Sequence, residues 1–304
     1  MTTLSTPIFA HPIGRIGRFR CPADHPAFHD SGPIRSGHLI VFPRTAVCIA
    51  FPKREPIIAD TNTIMFYNDR QEYRRSPVST EGDRCEWFAF APTLIASAIG
   101  EYDVGASADA TTPFHWHKAP CDPQSYFLQR QIVTEITTAA ANDLAVDAIW
   151  LEEAMLTLLA RVIRQCFHRH ATALAHCKPE TDRQQALLVR TVQAELAARY
   201  TENLTLDRLA ATVYLSAYEL CRIFRRHTGQ TIHHYLMQLR LRRALELLAE
   251  PGEDITAIAL SLGYSSHSHF TSAFHRTFGI TPSALRRQPG QHCARHQLRK
   301  NLIV

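Results

Sequence analysis

The sequence predicts an α+β protein: a β-rich N-terminal part, a helical middle, and an all-α C-terminal part built from two helix–turn–helix units. Three observations carry this. Short apolar runs between turn formers fill residues 1 to about 120, uninterrupted helical periodicity begins at Pro123, and the last third contains one kind of unit twice.

The apolar runs are His38–Phe42, Ala46–Ala50, Thr63–Tyr67 and Glu86–Phe90. Each is four or five residues long, rich in β-branched and aromatic types, and flanked by Pro, Gly or polar turn residues. That pattern predicts strands of a small β-barrel or sandwich over residues 1–122. Pro123–Ala141 and Asp147 to about His170 then read as helices without internal Pro or Gly. In the second, Leu151, Met155, Leu158, Val162 and Gln165-Cys166 recur at spacings near three and four. Such a seam either packs on its own β domain or forms a coiled-coil-like dimer contact, so 123–170 is expected to be a connector or dimerisation segment. Residues 171–181, with Lys178-Pro179-Glu180, read as a linker, and 289–304 as a frayed basic tail.

Residues 182–288 hold the repeat. Phe224 falls on Phe274, Arg226 on Arg276, Gly229 on Gly279 and Thr231 on Thr281, each 50 positions on. Upstream the offset is 49, pairing Leu206 with Ile255, Ala210 with Ala259 and Val213 with Leu262. The second unit therefore has one extra residue in its turn. Thr205 is the predicted N-cap of one helix, Tyr214-Leu215 the turn, and Ser216 the N-cap of a second helix from Ala217 to about His227. Leu220 and Phe224 form its buried face, and Tyr218, Cys221, Arg222 and Arg225 project away. In the second unit Gly263 permits the turn and Ser265 or Ser266 caps a helix over His267–Phe278. Phe270 and Phe274 point inward there, with His267, Ser268, Thr271 and Ser272 outward near the N-terminal end. Between the units Ile232–Ala249 reads as one helix, with Arg240, Arg242 and Arg243 mostly on its wet face. In a helix–turn–helix the second helix enters the major groove. A single joining helix would hold two such helices in successive grooves, roughly 34 Å apart.

Bulk properties fit this division. The net charge of +5 is unevenly spread: residues 182–304 carry 16 Lys and Arg against 9 Asp and Glu, while residues 1–181 carry 17 against 19. A basic C-terminal part implies a polyanionic partner for that end. Eight cysteines without a CxxC suit a reducing compartment, and neither a signal peptide nor a run of about 20 apolar residues is present, so a cytoplasmic protein is expected. No GxSxG, P-loop or HExxH motif occurs, and Glu152-Glu153 lie on different helix faces, so no enzyme activity is expected.

The motif Ile255-x₇-Gly263-Tyr-x₅-Phe270-x₃-Phe274-x₃-Phe278-Gly279-x₂-Pro282 resembles the AraC/XylS family of bacterial transcription regulators, over Arg183–Arg287. The resemblance implies a sequence-specific regulator that binds double-stranded DNA, with an effector-binding or dimerisation domain ahead of it. A small effector, a second copy of the chain and RNA polymerase are the further partners it suggests, and no cofactor. By position it makes Tyr218, Cys221 and Arg222 the base readers of the first unit, and His267, Ser268, Thr271 and Ser272 those of the second. Arg225, Arg226, Arg276 and Arg287 are phosphate candidates. Many relatives carry Arg where this chain has Ser272. The first unit is therefore expected to specify sequence and the second mainly to anchor.

The segment from Asn62–Asn68 to Gly82–Phe88 is similar to the cupin-like sensor domain of part of that family. An alternative function rests on Cys21, His25 and Cys85, with His29, His115, His117 and Cys121 nearby in sequence, as a metal- or redox-sensing set. A cupin-type enzyme would need a His/His/Glu metal set on neighbouring strands, and the sequence does not contain one.

Overall fold

The computed structural model describes residues 4–29, 32–103, 111–172, 179–250 and 252–287. Nine strands come first: β1 (Ser5–His11), β2 (Gly14–Cys21), β3 (Leu39–Pro43), β4 (Val47–Ala50), β5 (Ile57–Ala59), β6 (Thr63–Tyr67), β7 (Arg74–Pro77), β8 (Asp83–Phe90) and β9 (Lys118–Pro120). They form an antiparallel six-stranded sheet in the order β1-β2-β8-β3-β6-β9 and a three-stranded sheet in the order β5-β4-β7. Side chains alternate between sheet faces. Val41, Met65 and Trp87 pack against Val47, Ile49 and Ile57 of the smaller sheet. Ile40, Phe42, Phe66 and Phe88 point the other way, against helices. Burial of both faces explains why these strands read as continuous apolar runs. The space between the sheets is filled by these side chains together with Phe28, Phe51 and Tyr67.

Helix α1 (Pro92–Gly100) was not expected; α2 (Pro123–Ala141) and α3 (Ala148–Thr172) lie where helical periodicity placed them. The α3 seam is consumed within the chain. Leu151, Met155, Leu158, Val162 and Cys166 are all buried in the cluster that also holds Ile40, Phe66 and α2. The seam is thus occupied within the chain, and among the described residues Ile149 and Leu156 are the exposed large apolar side chains of α3.

The remaining helices are α4 (Pro179–Ala198), α5 (Leu206–Thr212), α6 (Ala217–Thr228), α7 (Ile232–Ala249), α8 (Ile255–Ser261), α9 (His267–Phe278) and α10 (Pro282–Arg287). The predicted linker 171–181 is shortened, because α3 runs to Thr172 and α4 starts at Pro179; residues 173–178 and the tail 289–304 lie outside the described residues. Among the described residues no helix is long and apolar enough to cross a membrane.

The first helix–turn–helix unit has its own core, in which Val192, Leu209, Leu220, Phe224, Ile232 and Leu239 are buried. The second does not. Leu245, Ile258, Phe270, Phe274 and Phe278 belong to the same cluster as the sheet, α2 and α3. Phe278 stacks on Phe127 of α2, ring centroids 5.5 Å apart, and Gln124 Nε2 donates to the Thr277 carbonyl at 3.1 Å.

Helix α7 fastens the two halves, and here the sequence reading of its arginines is corrected. Arg240 and Arg242 are buried and Arg243 is half-buried. Tyr235, Leu239, Arg242 and Glu246 recur at four, three and four residues, a stripe facing the β domain. Arg242, only 1% exposed, donates to the carbonyls of Thr61 and Cys121, each at 2.5 Å, and to Asn62 Oδ1. Its guanidinium lies 5.0 Å from the centroid of the Tyr126 ring. The Tyr235 hydroxyl donates to Asp60, and Asn62 Nδ2 donates to the Tyr235 carbonyl at 3.0 Å. Glu246 pairs with Arg44, which in turn reaches Glu86 at 2.5 Å, and Arg130 reaches Glu86 at 3.0 Å. Burial alone would raise the Glu246 carboxyl, but Arg44, Arg130 and Arg243 outweigh it and hold the group below the ordinary range. A stripe read as solvated is therefore a polar lock, since a buried charge persists only where hydrogen bonds and opposite charges offset its desolvation.

Two stability effects should follow. Phe274→Ala should cost about 3–5 kcal/mol in urea unfolding, through loss of transfer energy and a residual cavity. Arg242→Leu should cost about 1–3 kcal/mol, because it leaves three buried acceptors unpaired. It should also speed hydrogen exchange in β6 and α7 while leaving α5 and α6 close to wild type.

Candidate nucleic-acid interface

In the first unit Thr205 Oγ1 accepts from the Arg208 amide and starts α5. The chain turns through Val213, Tyr214 and Leu215. Ser216 then caps α6 in a capping box: the Glu219 amide donates to Ser216 Oγ at 3.2 Å, and the Ser216 amide donates to the Glu219 carboxylate at 3.4 Å. Gly229, at φ +79°, ends the helix, its amide donating to the Arg225 carbonyl. Leu220, Ile223 and Phe224 are buried. Tyr218, Arg222, Arg225 and Arg226 are exposed and Cys221 is half-buried, and all five line one surface groove with Thr231 and Ile232.

The second unit repeats the arrangement with the extra residue in place. Leu262 ends α8, Gly263 and Tyr264 follow, and Ser266, one position later than the equivalent of Ser216, caps α9 through the His269 amide. The inserted residue is thus Ser265. Phe270, Phe274 and Phe278 are buried, while His267, Ser268 and Ser272 are exposed. Thr271 is half-buried, its hydroxyl 3.5 Å from His267 Nε2. Arg276 and Arg287 are exposed, and Arg287 Nε donates to the Ser283 carbonyl. Each predicted set therefore lies on the face of its helix opposite the core. Arg226 is not a free cation: it pairs with Asp182 at 3.0 Å, so phosphate binding there would compete with an internal carboxylate.

The two units are joined by a contact that sequence reasoning missed. Arg240 of α7 donates to the carbonyls of Tyr200 at 2.6 Å, Glu202 at 2.9 Å and Gly263 at 2.9 Å. One guanidinium fork thus ties the segment before α5 to the turn before α9. Gly263 sits at φ +78°, and a Cβ there would lie 2.7 Å from both Arg240 Nη2 and the Thr201 carbonyl oxygen. Glycine is required both for the backbone conformation and for the closeness of that fork.

The Cys/His set is not assembled. Cys21 and Cys85 do share a face, since Cys21 pairs with Asp83 and Phe19 with Cys85 on adjacent strands. His25 is engaged elsewhere: its Nδ1 accepts from the Ala27 amide and starts the 3-10 turn Pro26–Phe28. His117 stacks on Phe51 and contacts Gln71, and His115 is exposed. Burial pushes the thiols of Cys21 and Cys85 up, and that of Cys121 to about 12, which disfavours the thiolates needed for metal binding or redox chemistry. Among the described residues no three His, Cys, Asp or Glu side chains converge on a point that could hold a metal.

Comparison with known proteins addresses the same C-terminal region. A family model described as a helix-turn-helix domain matches residues 209–288. The transcriptional regulator ArgR of Pseudomonas aeruginosa is 39% identical over 93 residues, 31% of this chain and 28% of that protein. The transcriptional activator RhaS of Pectobacterium carotovorum is 31% identical over 160 residues, 52% of this chain and 53% of that one. A solved AraC-type DNA-binding domain protein from Chromobacterium violaceum is 33% identical, covering 37% of this chain and all of its own, with a TM-score of 0.30. The chain spans 28% to 59% of the length of the first curated relatives it matches. Over residues 209–288 the chain thus carries a helix–turn–helix domain similar to those of transcription regulators such as ArgR and RhaS.

Proposed function

We propose that this chain is a sequence-specific DNA-binding transcription regulator whose N-terminal domain governs how its two helix–turn–helix units meet the duplex. The carrying observation is geometric: two exposed, capped helices, α6 and α9, are joined by one helix and braced by Arg240. Tyr218, Cys221 and Arg222 read bases in the first unit. His267, Ser268, Thr271 and Ser272 offer short polar groups in the second, a set better suited to anchoring than to bidentate base recognition. Arg225, Arg276 and Arg287 contact phosphates, as does Arg226 once released from Asp182.

Control by a small effector is supported by a cavity of about 560 Å³ at the junction of the two halves. The β domain contributes Pro56, Ile57 and Trp116 to it, and the first unit contributes Val189, Gln193 and Tyr235. Gln193 Nε2 donates to the Tyr235 hydroxyl, which donates to Asp60, so the cavity wall is bonded directly to the α7 lock. Its volume falls within the range of small-molecule sites. A ligand there would touch both halves and bias their docking, as a differential contact must. Self-association would need a surface other than the buried α3 seam.

Binding of the full chain to duplexes recovered by in-vitro selection provides the test. Arg222→Ala should weaken binding to the selected site by about 1–3 kcal/mol and relax base preference at one position. Arg276→Ala should instead weaken selected and scrambled duplexes alike and reduce the slope of log affinity against log salt by about one. Wild-type affinity and preference in the Arg222 variant would remove the assigned reading mode.

A further inference from the structure

The turn of the first unit holds its central residue in a conformation that its own side chain disfavours. Tyr214 has φ +55°, in the left-handed region. The repeat puts Gly263 at the same place in the second unit, at φ +78°, where that backbone is relaxed. Among the described residues the other non-glycine positions with positive φ are Lys53, Arg70 and Asp143, and Tyr214 is the one aromatic there. A bulky residue at positive φ is a genuine outlier, and such strain persists where the surroundings or a function hold it.

Among the described residues no side-chain contact accounts for the tyrosine. It is 96% exposed, more than any other large apolar residue among the described residues; its amide donates to the Ala211 carbonyl, and its phenol makes no ring contact or hydrogen bond among those residues. The next most exposed is Tyr218 at 78%. Among the described residues the two most solvated Phe, Trp or Tyr side chains thus flank Ser216, the N-cap of α6, at the end of the helix that enters a groove. A tyrosine hydroxyl is a competent phosphate donor, and phosphate contacts orient a reading helix without specifying sequence.

We infer that Tyr214 is a DNA-backbone contact of the first unit, its phenol donating to a phosphate beside the groove that α6 enters. This rests on the DNA-binding function proposed above. The turn places an aromatic where relaxation alone would favour glycine, and α6 is thereby anchored at its entering end. Ser265, the additional residue of the second turn, follows the relaxed Gly263, and no exposed aromatic stands there.

Anisotropy titrations of the full chain against the selected duplex and a scrambled one test this, with thermal melting as a fold control. Tyr214→Gly and Tyr214→Phe should each weaken binding about 5- to 10-fold, equally on both duplexes, the size of one lost hydrogen bond. The Gly variant should melt at the same temperature as wild type or higher, because glycine adopts this backbone without strain. Wild-type affinity in either variant, or a loss confined to the selected duplex, would overturn the assignment. Arg222→Ala run alongside separates the two questions. If it too binds as wild type the DNA-reading mode fails, whereas loss in that variant alone leaves the reading mode standing and removes only Tyr214.

Discussion

A guanidinium withdrawn from water in the middle of α7 needs partners for its donors, and the acceptors that the two Nη groups of Arg242 reach all lie on the other half of the molecule. Thr61, Asn62 and Cys121 accept its hydrogen bonds and Tyr126 lies across its face. These acceptors sit at the start of β6 and the end of β9, so the arginine fixes α7 against one edge of the six-stranded sheet. Tyr235 with Asp60, and Glu246 with Arg44, extend the same stripe along the helix. Breaking such a lock exposes unpaired groups on both sides, so intermediate arrangements are costly. A junction of that kind is disposed to be either closed or open, which is the behaviour a switch requires.

The same helix carries a second arginine with a different task. Arg240 binds three carbonyls that all belong to the C-terminal half, and so sets one helix–turn–helix unit relative to the other. Two residues apart on α7, one guanidinium fixes the internal geometry of the twin helix–turn–helix part and the other fixes that part to the β domain. The two turns differ in that Tyr214 of the first stands where Gly263 stands in the second, which has Ser265 as an additional residue after Tyr264.

Much of this could be read directly from the residues. The 49- and 50-residue offsets located both units, the caps Thr205 and Ser216, and the single inserted residue that proves to be Ser265. Phe224, Phe270 and Phe274 were correctly placed in the core. What escaped was whatever depends on distant partners. Arg242 and Arg240 read as solvated because an arginine has the same local signature whether it faces water or a ring of carbonyls. Strand β2 went unseen because Arg15, Arg18 and Arg20 interrupt its apolar residues, and only pairing with β1 and β8 on both sides makes it a strand. The cysteine and histidine cluster dissolved for a similar reason. His25 is used to cap a turn, a role that spacing along the chain does not reveal.

The core divides the molecule differently from the chain. By sequence the boundary falls near residue 181, whereas the packed interior runs from the sheet through α2 into Phe278 and the second unit. The first unit alone is enclosed by its own side chains. A fragment beginning at Asp182 would consequently carry one self-sufficient reading unit and one with a wall missing, its phenylalanine stack open where Phe127 had lain. Excised in that way, the two halves of the repeat cease to be equals. The covalent order of the domains conceals that the second helix–turn–helix unit is, mechanically, part of the N-terminal body.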